Sequence, residues 1–556
     1  MYLLDMEEIQ SFYMERNQVS QDVDEQEKLI DKPVNEEVRD PKDKSEGLTW
    51  LYPSGLSFGV GFLMLVISVG LNFLLVNSYA FWLPGPIWIV SLISFTPWIF
   101  STLTYNRCLV QLYLATAVVM LSVWCFVALS LEESLLTASG VGAASFLVVA
   151  LSLNLWAFRF DEVSLVQSGL GWCIRLTCVL MLTWYFGYVV NGTRGSLAIH
   201  FHRVQFILQP ISIFGFGSLE ILVVLTNTIL AWWVFAGVKT RSILPGSMDE
   251  LYKKSSLLHK IFLIISNPVV FLAVIWLLWV ITAGVISVAH VPSTKVTVAT
   301  VGNSNTVSDF VNAVEKQLEE GAQFVTTPQD ILQEFSPRCD AAGVKCHAVV
   351  QDTVAPQISG LGGYAIIGCG IQNCVSIDLV FLVDPEGEIT PVGKDRPGTT
   401  ETPPPPQVFT SVYPDVRFSY LSYKDTFLSG DMTNVASNGA NLVFVSSDKP
   451  FAIPRDRVYP HLVISAIENR VTIVRPSQNY NSAVIGPRGS IVAQSELPYD
   501  STSDDIVHVD VMLSYPLQAG WFRQQLPYWI ITAACGFFLV IDIFYVLSER
   551  RKPHDQ

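Results

Sequence analysis

The segment NPVVFLAVIWLLWVITAGVISVAHVPSTKVTVATV, residues 267–301, changes character at its middle. Residues 267–289 are uncharged and almost wholly apolar. A helix crossing the hydrocarbon core of a bilayer needs about 20 such residues. Past Pro292 the pattern turns to Val296–Val301, rich in β-branched residues, which suits a strand. A membrane helix therefore hands over directly to a β-rich domain.

Working outward, apolar segments precede this one near 56–76, 80–100, 109–131, 135–158, 170–190 and 204–235, and one follows at 527–547. Within lipid, only a helix pairs all its backbone polar groups inside one segment. The expectation is a polytopic protein of eight spans, with its extramembrane domain strung between the last two. The sixth segment is too long for one straight crossing. Pro210, Gly215 and Gly217 are expected to break it into a partial insertion followed by a helix. The resulting organisation is an acidic tail (1–50), a seven-span membrane domain (51–290), an extramembrane domain (291–522), a final helix (523–548) and a basic tail (549–556).

Composition agrees. Of 556 residues, 50% are hydrophobic and only 15% charged, against about 25% charged in soluble domains. The first 48 residues hold 14 acids and 6 bases, more than half of the net charge of −15. Low hydrophobicity with high charge marks that tail as a disordered segment. No face clusters Lys and Arg in the manner of a nucleic-acid binder, so no nucleic acid is expected as a partner.

Orientation follows from the preference of Lys and Arg for the cytoplasmic side. The loop after the sixth span carries Lys239, Arg241, Lys253, Lys254 and Lys260; the end of the chain carries Arg550, Arg551 and Lys552. Both termini are then cytoplasmic, and 291–522 faces the lumen or exterior. Asn191-Gly192-Thr193 is a glycosylation sequon on that same side. The sequon and the acidic tail point to a eukaryotic endomembrane or plasma membrane.

From residue 296 onward, short β-rich runs (Val296–Val301, Leu379–Val383, Asn441–Val445, Val471–Val474) alternate with a helical stretch, Val307–Glu320, ending at Gly321. Turns are read at Asp384-Pro385-Glu386-Gly387 and Gly486-Pro487-Arg488-Gly489. The proline-rich run 397–406 is a loop. Ser359–Tyr364 is glycine-rich but lacks the Lys-Ser/Thr of a phosphate loop, and reads as a turn. The pattern predicts a layered α/β fold.

Four motifs carry a resemblance. EEGAQFVTTPQDIL (319–332) resembles the stretch around the catalytic glutamate of the nitrilase, or carbon–nitrogen hydrolase, superfamily. LVFLVDPEGEITPVGK (379–394) resembles the hairpin leading to that family's lysine. LSYKDTF (421–427) with ASNGANLVFVSS (436–447) resembles the nucleophile elbow and its next strand. IENRVTIVRPSQNYNSAVIGPRGSIVAQSE (467–496) is similar to the closing strands. In the membrane part, LQPISIFGFGSLEILVVLTNTILAW (208–232) resembles apolipoprotein N-acyltransferases, which share the layout. The resemblance implies an αββα sandwich for 291–522.

It also implies where chemistry would sit, and there the chain departs. The family uses a cysteine thiolate, a glutamate base and a lysine for the oxyanion. Here the glutamate position reads Gln329, the cysteine position Ser422, and the lysine position Lys394. A carboxylate of the family is replaced by Lys424, next to Tyr423. An amide cannot take a proton at neutral pH, and a serine without a base is a poor nucleophile. Losing general-base catalysis alone costs roughly 10²–10⁴ in rate. The expected function is a membrane-anchored, non-catalytic nitrilase-like domain. It would bind a membrane lipid, a lipidated or acylated ligand, or a protein partner. The alternative is an acyltransferase or amide hydrolase with an altered Ser422/Lys424 site.

Cofactors and metals are not expected. His200-Phe201-His202 lacks a third ligand and reads as an interfacial pair. Glu220 and Arg175 fall within apolar spans, where charge often marks function; Glu220 is the better accessory candidate, being inside the resembling motif. Cys173 and Cys178 lie in a span as small hydrophobes. In an oxidising compartment the four cysteines of the extramembrane domain form two disulfides among three pairings, with Cys339–Cys346 and Cys369–Cys374 preferred for their short loops.

Overall fold

The computed structural model describes residues 63–75 and 525–540 with gaps, and 87–104, 169–191, 196–240, 267–289, 293–302, 306–328, 347–368, 380–392, 406–422, 429–446, 458–477, 481–495 and 506–516. All belong to one compact unit, residues 55–556.

The helical part is organised around three long helices, α1 (Gly169–Asn191), α2 (Phe216–Thr240) and α3 (Pro268–Val288). The helix α3 starts with proline at its first position, where a missing N–H costs nothing, and Asn267 Oδ1 accepts from Val269 N at 3.0 Å. It crosses α2, and the Trp276 indole N–H donates to Thr226 Oγ1 at 3.1 Å. On the other side of α2, the Thr228 and Thr177 hydroxyls pair at 3.0 Å, tying α2 to α1. Gly169 lets the Trp232 ring approach: a Cβ there would lie 2.3 Å from it.

Among the described residues, two stretches are long and apolar enough to cross a bilayer, Phe216–Gly237 and Pro268–Val288. The expected fifth span coincides with α1. The expected third and fourth, 109–131 and 135–158, lie outside the described residues. The second departs from a single helix: Trp88–Ser91 and Thr96–Thr104 are separated by turn residues 92–95. The backbone groups freed at this break are taken up by side chains of other helices. Asn227 Oδ1 accepts from Phe95 N at 2.9 Å, Asn227 Nδ2 donates to Ser91 O at 2.9 Å, and Ser68 Oγ donates to Ser94 O at 2.6 Å. Such pairing is what a buried break in a helix requires.

The sixth segment breaks as expected at Pro210 and Gly215. A 3₁₀ turn (Ala198–Arg203) and two single-turn helices (Gln205–Leu208, Ile211–Phe214) precede Gly215, whose φ of 78° stops the second, before α2 begins. Gly217 does not break the chain. It lies inside α2, where a Cβ would meet the Tyr528 ring at 3.0 Å, so its smallness seats the last helix.

The rest is an αββα sandwich. One six-stranded sheet has the order β12-β1-β2-β3-β4-β5, and the other β11-β10-β9-β8-β7-β6. In the first, β1 (Ser293–Val301), β2 (Phe324–Thr326) and β3 (Tyr364–Gly368) are parallel. In the second, β7 (Arg417–Ser422), β8 (Leu442–Ser446) and β9 (Thr472–Arg475) are parallel. The outer strands of each run antiparallel: β4 (Val380–Val383), β5 (Ile389–Pro391) and β12 (Ile506–Ser514) in one, β6 (Val408–Thr410), β10 (Ala483–Ile485) and β11 (Ile491–Gln494) in the other. Every second side chain faces between the sheets. Val296, Val298 and Phe324 there meet Phe418, Tyr420 and Phe444. The Phe324 ring lies 5.1 Å from those of both Tyr364 and Phe418.

Helices cover the outer faces. Helix α4 (Val307–Glu319) buries Phe310, Val311, Val314 and Leu318, one stripe at helical spacing. Thr306 caps it by accepting from Asp309 N, and Gly321, at φ 97°, turns the chain toward β2. The second sheet is covered by α5 (Ser429–Ser437) and α6 (Val458–Asn469). Their buried residues, Leu462, Val463 and Ile467 among them, form one continuous core with Phe216, Leu219 and Trp232 of α2. The sandwich is packed directly onto the long apolar helices.

Candidate functional site at the strand ends and the membrane junction

Ser422 is the last residue of β7 and is buried. Its Cα partner across the parallel pair is Ser446, the last residue of β8. Phe418 and Tyr420 face the inter-sheet core, and alternation puts Ser422 on that face too. Phe444 and Ser446 follow the same rule on β8. The Tyr420 hydroxyl hydrogen-bonds Ser446 Oγ. Two serines, Ser422 and Ser446, thus end neighbouring strands on the same face.

In the facing sheet, β2 ends at Thr326, and Thr327-Pro328 leads to Gln329. Thr327 is fixed: its N–H donates to Ile366 O at 3.0 Å, and its Oγ1 accepts from Gly368 N at 3.0 Å. Gln329, Lys394, Tyr423 and Lys424 lie outside the described residues, as do Cys339, Cys346, Cys369 and Cys374. Of the family-matching positions, the structure therefore places Ser422. Asn191 is the final residue of α1.

Glu220 has a defined occupation. Its carboxylate accepts from Leu197 N at 3.0 Å, from Ala198 N at 2.9 Å and from the Ser196 hydroxyl. It caps the 3₁₀ turn 198–203 from within α2. The carboxylate holds the segment ahead of α2 in place. His200 is buried in that turn; His202 Nδ1 lies 3.0 Å from Ile199 O and its ring meets Tyr459 edge-on at 6.5 Å. Among the described residues, no group of His, Cys, Asp and Glu is arranged to hold a metal ion. Cys173 and Cys178 are buried free thiols.

The junction contains residues that sequence reasoning did not single out. Glu468, near the end of α6, accepts from Phe216 N at 2.9 Å. Arg470 Nη2 donates to Ser212 Oγ at 3.0 Å. Gln209 Nε2 donates to Arg488 O at 3.1 Å. The Arg488 guanidinium donates to Ser287 O at 2.8 Å and to Ala289 O at 2.6 Å. So the sandwich sets an acid on the N-terminus of α2 and a base on the C-terminus of α3. Both signs suit the helix dipole. The sequence signal was present in Glu468-Asn469-Arg470 and in the 486–489 turn, but nothing in the sequence says what these residues face.

No family model matches the chain, and no curated protein matches it by sequence. Solved structures do. An amidase from Nesterenkonia sp. is 15% identical over 40% of this chain and 90% of its own, with a TM-score of 0.29. A variant of the amidase from Nesterenkonia sp. AN1, carrying an acetamide moiety on its active-site cysteine, is 16% identical over 43% of this chain and 97% of its own, with a TM-score of 0.31. A carbon–nitrogen hydrolase from Helicobacter pylori G27 is 10% identical over 39% of this chain and 89% of its own, with a TM-score of 0.32. The chain is similar to these nitrilase-superfamily proteins over a stretch the size of its sandwich. At such identities and scores the likeness carries no activity across, and the description of the sandwich stands on its strand order and registers.

Proposed function

We propose that this protein is a membrane-anchored, nitrilase-like binding protein whose sandwich does not turn over substrate. The observation that supports it best is Ser422. It ends β7, where the resembling family has its cysteine, and its Cα partner on β8 is Ser446. A serine there needs a base to remove its proton. The residue after Pro328 is an amide, Gln329, which cannot serve. In this reading Lys394, at the position matching the family's lysine, would serve as a donor to a carbonyl or anionic oxygen of a lipid or acylated ligand.

The membrane anchoring is supported by α3, whose Leu277, Leu278, Ile281 and Val285 are exposed in the folded chain and so call for an apolar surrounding. In this reading the chain crosses eight times and resembles an apolipoprotein N-acyltransferase in layout. Residues 291–522 stand on the lumenal or exterior side of a eukaryotic endomembrane or plasma membrane.

The test is labelling and restoration. A fluorophosphonate acyl-enzyme probe is expected to leave position 422 unlabelled, and Ser422→Ala to preserve the cellular phenotype. The pair Gln329→Glu with Ser422→Cys puts a carboxylate and a thiol back, and a thiol-directed probe is expected to label only that variant. A covalent acyl adduct on Ser422 of the unaltered protein, with loss of function in Ser422→Ala, overturns the binding reading in favour of a Ser422/Lys424 enzyme.

A further inference from the structure

We propose that residues 205–214, the broken stretch ahead of α2, form a wedge in the outer leaflet, with Phe206, Ile213 and Phe214 in contact with lipid acyl chains. This rests on the membrane reading above and goes beyond it by naming an element outside the two long apolar helices.

The polarity of the wedge is inverted relative to water. Two of its three polar side chains are hidden, Gln209 and Ser212 at 3% exposed each, and the third, Gln205 at its start, is half-buried. Three of its large apolar side chains are exposed, Phe206 at 44%, Ile213 at 53% and Phe214 at 44%, while Leu208 and Ile211 are buried against the neighbouring helices. The polar side faces the sandwich, through Gln209 to Arg488 O and through Ser212 to Arg470. Burying an amide and a hydroxyl while leaving three large apolar groups outside is unfavourable in water and favourable in hydrocarbon.

Depth follows from Trp279 of α3. Its indole N–H donates to Ile207 O at 2.8 Å, and its ring lies 6.2 Å from that of Phe214. Trp279 precedes Val288, the outer end of α3, by nine residues. At 1.5 Å per residue this level is about 13 Å below that end, inside a core about 30 Å thick.

Irregular backbone at such depth survives only when its polar groups are satisfied. Within the wedge, Ser212 N donates to Gln209 O, Ile213 N and Phe214 N to Pro210 O, and Gly215 N to Ile211 O. The next N–H, that of Phe216, goes to Glu468. The occupant is acyl chain because the exposed side chains carry no polar atom and stand at the level of Leu277, Leu278 and Ile281 on α3. Those residues present an apolar face of the same kind.

The test places p-benzoylphenylalanine at Phe206, Ile213 or Phe214 of the full chain in phosphatidylcholine nanodiscs. Leu278 on α3 and Glu386 in the β4–β5 turn serve as reference positions. After irradiation, mass spectrometry is expected to find lipid adducts at 206, 213 and 214 in yields comparable to that at 278, and none at 386. Lipid adducts at 278 with only peptide crosslinks at 206, 213 and 214 overturn the wedge and leave the membrane reading standing. Loss of lipid adducts at 278 as well overturns both.

Discussion

Glu468 and Phe216 stand 252 positions apart, yet the carboxylate of one accepts the backbone N–H of the other at 2.9 Å. The contact joins the last turn of a sandwich helix, α6, to the first residue of the long apolar helix α2. It satisfies one of the N–H groups that every helix start leaves without an intrahelical partner. Replacing Glu468 by alanine is expected to cost about 0.5–2 kcal/mol, the range for lost helix caps. Glu468→Gln should cost less, because an amide oxygen still accepts. Thermal unfolding of the detergent-purified protein reads the order; equal stability of the alanine variant and the parent would refute the cap.

Gly489 is the second fixed point of the junction. Its φ is 79°, and a Cβ there would come within 2.5 Å of Ile467 Cδ1. Gly489→Ala meets both a left-handed backbone penalty of about 1–2 kcal/mol and overpacking of about 1–3 kcal/mol. The turn also presents Arg488 to the end of α3, so the variant should loosen the sandwich from the membrane part. Limited proteolysis is expected to cut the chain faster near 286–292 than in the parent. An unchanged digestion rate contradicts this.

Glu220→Ala removes the acceptor for two backbone N–H groups and a hydroxyl. Leaving buried donors unpaired costs about 1–3 kcal/mol. The expected result is a destabilised protein whose loss is partly recovered by Glu220→Gln. If Glu220→Gln instead abolishes function at full stability, the carboxylate has a chemical role and not only a structural one.

The sidedness of the sandwich is tested at Asn191 and at the cysteines. Asn191→Gln is expected to abolish an endoglycosidase-sensitive mass shift. Non-reducing peptide mapping is expected to find Cys339 joined to Cys346 and Cys369 to Cys374, since an oxidising compartment favours disulfides. Four free thiols at these positions, or digestion of the sandwich by protease on the cytosolic face, would place 291–522 on the other side.

Periodicity alone located much of the fold. The uncharged run 267–289 and the β-rich runs after it foretold α3 and the strands, because an apolar stretch has few ways to hide its backbone and alternation has only one. Val296–Val301 falls within β1, Val307–Glu320 is α4 with its capping residue, and Pro210 and Gly215 break the chain where their backbone limits require. Of the motif positions only Ser422 is described, and it ends β7.

What the sequence did not contain is which side chain meets which across long separations. The break at 92–95 is stable because Asn227, on another helix, takes Phe95 N and Ser91 O. Glu220 reads, with Arg175, as one of two charges within apolar segments until the 196–198 backbone is seen folded onto it. The Glu468, Arg470 and Arg488 contacts need α6 and the 486–489 turn to be laid against the ends of α2 and α3 and the turn before α2. Local pattern reports a residue's own backbone preference and its need for burial. The partner that satisfies it is set by the packing of elements far apart in the chain, and only the tertiary structure decides that.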